Sequence, residues 1–338
     1  MQRFWNDPIS WGHAGIYLLG AIAVLAVVIL FVTYAIYFER KVIGWMQYRR
    51  GPNRVGPFGL LQSVVDVAKL LLKEDTVPAK ADRKLFILAP VLAFVPSFLV
   101  LAIIPYGLKL QFADVNVGFL YYIALSGVTT IAIVIGGWAS NNKYALLGGM
   151  RSAAQMISYE VPLVMSVVGL TMMTGSLNLR DIVAYQGEYF WQWNFIPQII
   201  GFVVFVIAAV SELNRTPFDL PEAESELVAG YHVEYSGFRF AFFMLSEYIY
   251  VYAIACLATI LFLGGWNPPL PQLDFIPGLI WFALKFACIV FFLFWIRATL
   301  PRLRVDQLMG LAWKVLLPLA ILNIFLTAIG IEVFGKGG

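Results

Sequence analysis

The chain has 338 residues, 61% of them hydrophobic and only 13% charged, with 23 Lys and Arg against 20 Asp and Glu. That balance is far too apolar for a soluble two-domain enzyme of this length. Nor do the basic residues form a compact face with interleaved aromatics, so the small positive excess makes no case for nucleic acid.

Long apolar runs point to a membrane instead. A span needs about 20 residues at 1.5 Å rise to cross roughly 30 Å of hydrocarbon. Eight are predicted, over 15–38, 85–106, 118–139, 152–174, 195–210, 239–263, 276–296 and 311–334. The expected fold is therefore all-α, one polytopic membrane domain over 1–338. The first run is long and leads into Glu39-Arg40-Lys41 without a small-residue cleavage pattern, so it reads as a span and not a signal peptide.

Charge sets the expected orientation. With both termini outside, the loops 39–84, 140–151, 211–238 and 297–310 fall inside. Together with Arg239 and Lys314 they hold 18 of the 23 Lys and Arg. Four lie outside, Arg3, Lys109, Arg180 and Lys336, and Lys285 lies within a span. This is a positive-inside pattern.

In the first inner loop, 39–84, Gln62, Asp66, Lys69 and Lys73 recur at steps of four, three and four, among Leu and Val. The spacing predicts an amphipathic helix suited to the membrane interface. Before it, Arg49, Arg50 and Arg54 sit in a Gly- and Pro-rich segment, which serves either plain anchoring or a docking surface.

Further along, Glu160 follows the expected start of the fourth span by eight residues, a depth of about 12 Å. Glu247 has a similar depth in the sixth span, and Lys285 lies near the middle of the seventh. Ionisable groups there are costly unless they face protein or a wet path. Pairing of Glu247 with Lys285 as packing glue is the dull alternative.

Between the fifth and sixth spans runs SELNRTPFDLPEAESELVAGYHVEYSG, with six carboxylates and one arginine. Asp219 can cap a helix with Glu222 at its fourth position, in a capping-box arrangement. Glu222 and Glu226 then share a face, with Glu224 nearby. If they meet a poorly solvated interior, mutual repulsion and desolvation raise their pKa values toward neutrality. A solvated loop tip is the alternative. After the seventh span, Arg297, Arg302, Arg304 and Asp306 follow closely in the last inner loop.

Two cysteines, Cys256 and Cys288, sit in different spans, and two histidines, His13 and His232, in different loops. Iron–sulfur, haem or structural zinc spacings cannot be built from these, and no Walker lysine or dinucleotide fingerprint occurs. Electrons for any redox role must come from a partner.

Four stretches carry a resemblance: ERKVIGWMQYRRGPNRVGPFGLLQSVVDVAKLLLKE, NNKYALLGGMRSAAQMISYEVPL, ELNRTPFDLPEAESELVAGYHVEYSG and RATLPRLRVDQLMGLAWK. In this order, each at an inner loop or span start, they resemble the H-type membrane subunit (mitochondrial ND1-like) family of proton-pumping NADH–quinone oxidoreductase, respiratory complex I. The resemblance implies part of a quinone chamber and coupling of quinone reduction to proton translocation. It places Gln47, Arg49, Arg297 and Arg302 on the quinone side, and Glu160, Glu212, Glu222, Glu224, Glu226 and Glu247 in proton coupling. It also implies a quinone substrate, with flavin and iron–sulfur clusters on partners and no cofactor on this chain. Peripheral subunits are expected on the inner face, and small and antiporter-like subunits in the membrane. The absence of a transit peptide adds to a bacterial plasma-membrane expectation. The alternatives are an equivalent anchor of a hydrogenase, F420H2- or ferredoxin-linked complex, and a self-contained proton-coupled transporter.

Overall fold

The computed structural model describes residues 11–107, 110–220 and 228–334. Within them the chain is helical: α1 (Trp11–Met46), α2 (Gln62–Leu72), α3 (Arg83–Val100), α4 (Gly118–Ala139), α5 (Lys143–Thr174) and α6 (Leu179–Tyr185) come first. Then follow α7 (Ile199–Glu212), α8 (Gly237–Phe262), α9 (Gly278–Thr299), α10 (Val305–Leu311) and α11 (Leu317–Phe334). A π turn over Ala312–Leu316 joins the last two.

Among the described residues, seven helices are long and apolar enough to cross a membrane: Leu18–Met46, Arg83–Ile103, Gly118–Ala139, Lys143–Thr174, Gly237–Phe262, Gly278–Thr299 and Val305–Val333. The chain is thus an all-α polytopic membrane protein. The segment expected as the fifth span forms the shorter apolar helix α7. It ends on Glu212, so that carboxylate is helical rather than the second residue of a loop.

Helix starts carry local signatures. The Asp82 carboxylate accepts from the N–H groups of Lys84 and Leu85 ahead of α3, and the Asn142 side chain accepts from Tyr144 N–H ahead of α5. Gly175, at φ 69°, closes α5 in the left-handed conformation that favours glycine. α5 begins nine residues before the expected start at 152. Its first turns pack closely, since a Cβ on Gly148 would lie 2.6 Å from the Gly230 backbone. Glu160 consequently sits 17 residues into a 32-residue helix, roughly 26 Å along its axis from Lys143.

α8 is the centre of the bundle, with nearly all its outer half buried. α3 packs on α4 and α8, α5 on α4, α7 and α11, and α9 on α1 and α8. Lipid gives helices no water-driven reason to associate, so close approach at small residues and interhelical hydrogen bonds hold them. Gln198 donates to Thr327 at 2.7 Å and accepts from Asn323 at 2.6 Å, in space that Gly169 and Gly201 leave open.

The connecting segments gather at two ends. At one, Arg239 pairs with Asp75 at 2.9 Å, Thr76 N–H donates to Ser236 at 3.1 Å, and Asn142 donates to Glu234 at 2.6 Å. At the other, Gln186 donates to Ile260 C=O at 2.7 Å, Asn194 to Leu261 C=O at 2.8 Å, and Asn178 to Asp114 at 2.8 Å. The segments expected inside therefore share one end.

Lys285 belongs to the opposite end. Its ammonium donates to Gly265 C=O at 3.1 Å and Asn267 C=O at 2.7 Å, and lies 3.7 Å from the Trp193 ring centroid. It clamps the loop between α8 and α9 through backbone carbonyls and an indole face, in place of the expected wet path or acid pair. Lys285→Met should lower the stability of the assembled protein by about 1–3 kcal/mol, since two buried carbonyls lose their donor. Turnover per assembled complex should be unchanged, and thermal inactivation alongside turnover will check both.

Candidate functional site

Glu39 lies on α1 with only 3% of its surface exposed. It falls in a stripe with Val28, Val32, Ala35 and Val42, spaced by threes and fours and all buried. A carboxylate so placed needs partners. Arg215 donates to it at 2.9 Å, Tyr248 O–H at 2.8 Å, and Arg297 to its other oxygen. Arg215 also stands 4.3 Å from the Tyr248 ring centroid. Four elements thus converge: α1, the turn after α7, α8 and the last turn of α9. Burial alone would weaken the charge on Arg215, but Glu39, with Tyr248 and Glu247, outweighs it and raises its pKa above the ordinary arginine value. Two guanidinium groups thus meet one carboxylate directly, with Glu247 close enough to act on Arg215.

A small cavity of about 30 Å³ adjoins this cluster, lined in part by Glu212, Glu247, Thr129, Ser246, Tyr250 and Asn214. It is large enough for a water molecule, and its wall mixes these polar groups with Ala93, Ile133, Met156, Leu213 and Phe243. Thr129 and Tyr250 share a hydrogen bond of 2.6 Å in its wall. On the far side Ser126 of α4 stands beside both Glu212 and Glu160, and Tyr122 also stands beside Glu212. The carboxylates therefore form a run from Glu39 and its arginines, past Glu247 and the cavity, to Glu212, Ser126 and Glu160. Such an arrangement can pass a proton shift between acids through hydroxyls and water.

The inner loops close over one end of this run. Arg302 pairs with Asp219 at 3.0 Å, and Leu303 N–H donates to Pro217 C=O at 3.1 Å. Beside Asp219, His232 is buried, and its Nδ1 has no hydrogen-bond partner among the described residues. Burial lowers its pKa to about 4, the opposing pull of Asp219 being weaker. Glu222, Glu224 and Glu226, and the helix that Asp219 was expected to cap, lie outside the described residues.

Gln47 and Arg49 sit apart, exposed in the turn after α1, where Arg49 N–H donates to Gly44 C=O at 2.7 Å. Arg50 and Arg54 are exposed as well. The loop is tied back by Tyr37 O–H to Phe58 C=O at 2.9 Å and by Arg40 to Asp66 at 2.6 Å. The Gly- and Pro-rich segment thus holds its arginines outward while Glu39 collects the arginines of other segments. Among the described residues no group of three or more His, Cys, Asp or Glu is placed to hold a metal ion.

Comparison with known proteins covers most of the chain. The NADH dehydrogenase family model matches residues 19–328. The H subunit of NADH-quinone oxidoreductase from Brevibacillus brevis is 67% identical over 329 residues, covering 97% of each chain. The corresponding H subunits of Anoxybacillus flavithermus and Bacillus cytotoxicus are 64% and 62% identical over 335 residues, covering 99% of each chain. The chain belongs to the family of NADH-quinone oxidoreductase H subunits.

Of the residues expected from the family resemblance, Arg297, Glu212, Glu247 and Glu160 come together in one run, and Arg302 stands next to it through Asp219. Sequence reasoning left out Glu39 and Arg215. The signal for Glu39 was its place in a buried stripe at helical spacing, and for Arg215 its being the sole cation among the acids of 211–237.

The buried neutral His232 has a consequence for acid stability. Its folded pKa lies below the unfolded value of about 6.5, so as pH falls from there the unfolded chain takes up a proton that the folded chain refuses. The stability His232 contributes is full above that value, is lost as pH falls, and stops changing below about pH 4. The loss amounts to at most about 3 kcal/mol. His232→Gln should flatten the fall of the melting temperature across this window, and an unchanged slope would refute the assignment.

Proposed function

We propose that this chain is the membrane subunit of a proton-translocating NADH–quinone oxidoreductase, walling part of the quinone chamber and coupling quinone reduction to proton movement. The observation that carries this reading is the series of buried and half-buried carboxylates, Glu39, Glu247, Glu212 and Glu160, that begins at the arginine-bound Glu39. On the quinone side it uses Gln47, Arg49, Arg297 and Arg302. In proton coupling it uses Glu247, Glu212 and Glu160, with Glu222, Glu224 and Glu226 of the acidic loop.

Quinone reduction takes up two electrons and two protons, so negative charge develops in a shielded cavity. The electrons come from carriers on partner subunits, and the Glu39 cluster, with two guanidinium groups on one carboxylate, would attract that charge. Any change there alters the field at Glu247, and coupled acids redistribute their protons together. Water in the cavity and the hydroxyls of Ser126, Thr129 and Tyr250 supply the bridges toward Glu160.

The surroundings follow from the same reading. α7, about 21 Å long with Asn194 anchored at one end and Glu212 at the other, serves as an eighth span, lengthened by the turn before it. α2 lies in the membrane interface, with Val64, Val65, Leu71 and Leu72 exposed toward lipid. Both termini face outward across a bacterial plasma membrane. The 39–84, 140–151, 211–238 and 297–310 segments of the single membrane domain face the cytoplasm. Peripheral iron–sulfur subunits dock there, and small and antiporter-like subunits flank the bundle. The shared name of the relatives favours an NADH-linked complex over hydrogen-, F420H2- or ferredoxin-linked ones, and over a free-standing transporter.

The test is Glu212→Gln in the assembled complex. Quinone-dependent NADH oxidation should fall at least about tenfold, as for loss of a group that transfers protons. Oxidation by a hydrophilic artificial acceptor should persist. Quinone-linked turnover at the wild-type rate would refute the proton-path reading.

A further inference from the structure

The turn after α7 has an unusual task. Within eight residues it directs Glu212 to the cavity, Arg215 to Glu39 and Asp219 to Arg302. It is not regular structure, and Asn214 within it takes φ 50°, which side chains other than glycine seldom adopt. Its internal ties are Asn214 N–H to Ser211 C=O at 3.0 Å and Phe218 N–H to Arg215 C=O at 2.8 Å. Local bonds of that kind do not hold three charged side chains on three separate partners.

External support comes from one face of α5. Gly148, Ser152, Gln155 and Tyr159 follow at steps of four, three and four, so they share a stripe, and all are buried. At its start, Gly148 lets the residue-230 backbone approach. At its far end, Tyr159 O–H donates to Leu308 C=O at 2.9 Å, steadying the segment that follows Arg302. Between them lies Gln155, with 1% of its surface exposed. Its Nε2 donates to Ser211 C=O at 2.8 Å and to Phe218 C=O at 2.7 Å.

The chemistry suits an amide. Ser211 C=O is among the last carbonyls of α7; it accepts from Asn214 N–H and has a second lone pair for the amide. One NH₂ group carries two hydrogens and no charge, so it can bind two carbonyls seven residues apart without perturbing the nearby carboxylates. A hydroxyl could serve only one carbonyl, and an ammonium would add charge beside Glu212.

We infer that Gln155 is a positioning residue for the coupling site, tying the end of α7 to the turn after it so that Glu212 faces the cavity. This rests on the proton-path reading of Glu212. Small displacements of such groups are costly, since a shift of about 1 Å can lower a rate about a hundredfold.

The experiment is a double-mutant cycle in the purified whole complex, with Gln155→Met, Glu212→Gln and both together. Turnover at saturating quinone is normalised to NADH oxidation by a hydrophilic acceptor, which counts assembled complexes. Gln155→Met keeps much of the volume but has no donor, and should lower turnover about tenfold or more. In the Glu212→Gln background the same change should lower it by less than about twofold, because both act through one group. If the Met variant fails to assemble, Gln155→Asn, which retracts the amide by one methylene, runs the same cycle. A full additive loss in the Glu212→Gln background would reduce Gln155 to a packing residue and overturn the inference, as would wild-type turnover of the Gln155 variants. Wild-type turnover of Glu212→Gln alone would instead overturn the proton-path reading, whatever Gln155 does.

Discussion

The end of the bundle where α1, α8 and α9 meet the turn after α7 depends on how Glu39 is held. A carboxylate so thoroughly removed from solvent is tolerable only while Arg215, Arg297 and Tyr248 all reach it, and taking away one partner of such a group typically costs about 3–5 kcal/mol. The bonds join α1, the turn after α7, α8 and α9. In a bundle whose outer surface meets lipid, specific polar ties do what a water-driven core does in a soluble protein. Glu39 is the strongest of these ties, and it also carries charge.

That double character separates the two ends of the molecule. At the end with the connection between α8 and α9, the buried polar groups are chiefly amides, Gln186, Asn194 and Asn267, with the ammonium of Lys285 bound to carbonyls. These fix geometry. On the other side stand the carboxylates Glu39, Glu247, Glu212 and Glu160, with a small cavity between Glu247 and Glu212 and the Ser126 hydroxyl beside Glu212 and Glu160. Carboxylates can change charge where amides cannot, so at this end the same architectural need is met with groups able to take up or release a proton.

Span positions were legible because apolar length is a property of consecutive residues. α7 was recognised as a short run, and only its contacts establish where it ends. The start of α5 was placed nine residues late because the small and polar residues there read as a loop; packing against Gly230 accompanies their helical form. Glu39 looked like an anchoring charge beyond a span, since its partners lie 176, 209 and 258 residues away and no local pattern links them. Arg297 entered through the family resemblance, and its partner is visible only in three dimensions. That Lys285 faces protein follows from its place within a span, but its partners do not, because the long side chain reaches carbonyls of the preceding loop.

Infrared difference spectra of the intact complex, quinone reduced against quinone oxidised, test the central claim most directly. If charge at the quinone is transmitted through the arginine-bound Glu39 to the buried acids, bands of protonated carboxyl groups should change on reduction. At least one should vanish or shift when Glu247 or Glu160 is replaced by Gln. A carboxyl region that stays flat on reduction, or whose bands ignore both replacements, would contradict the account.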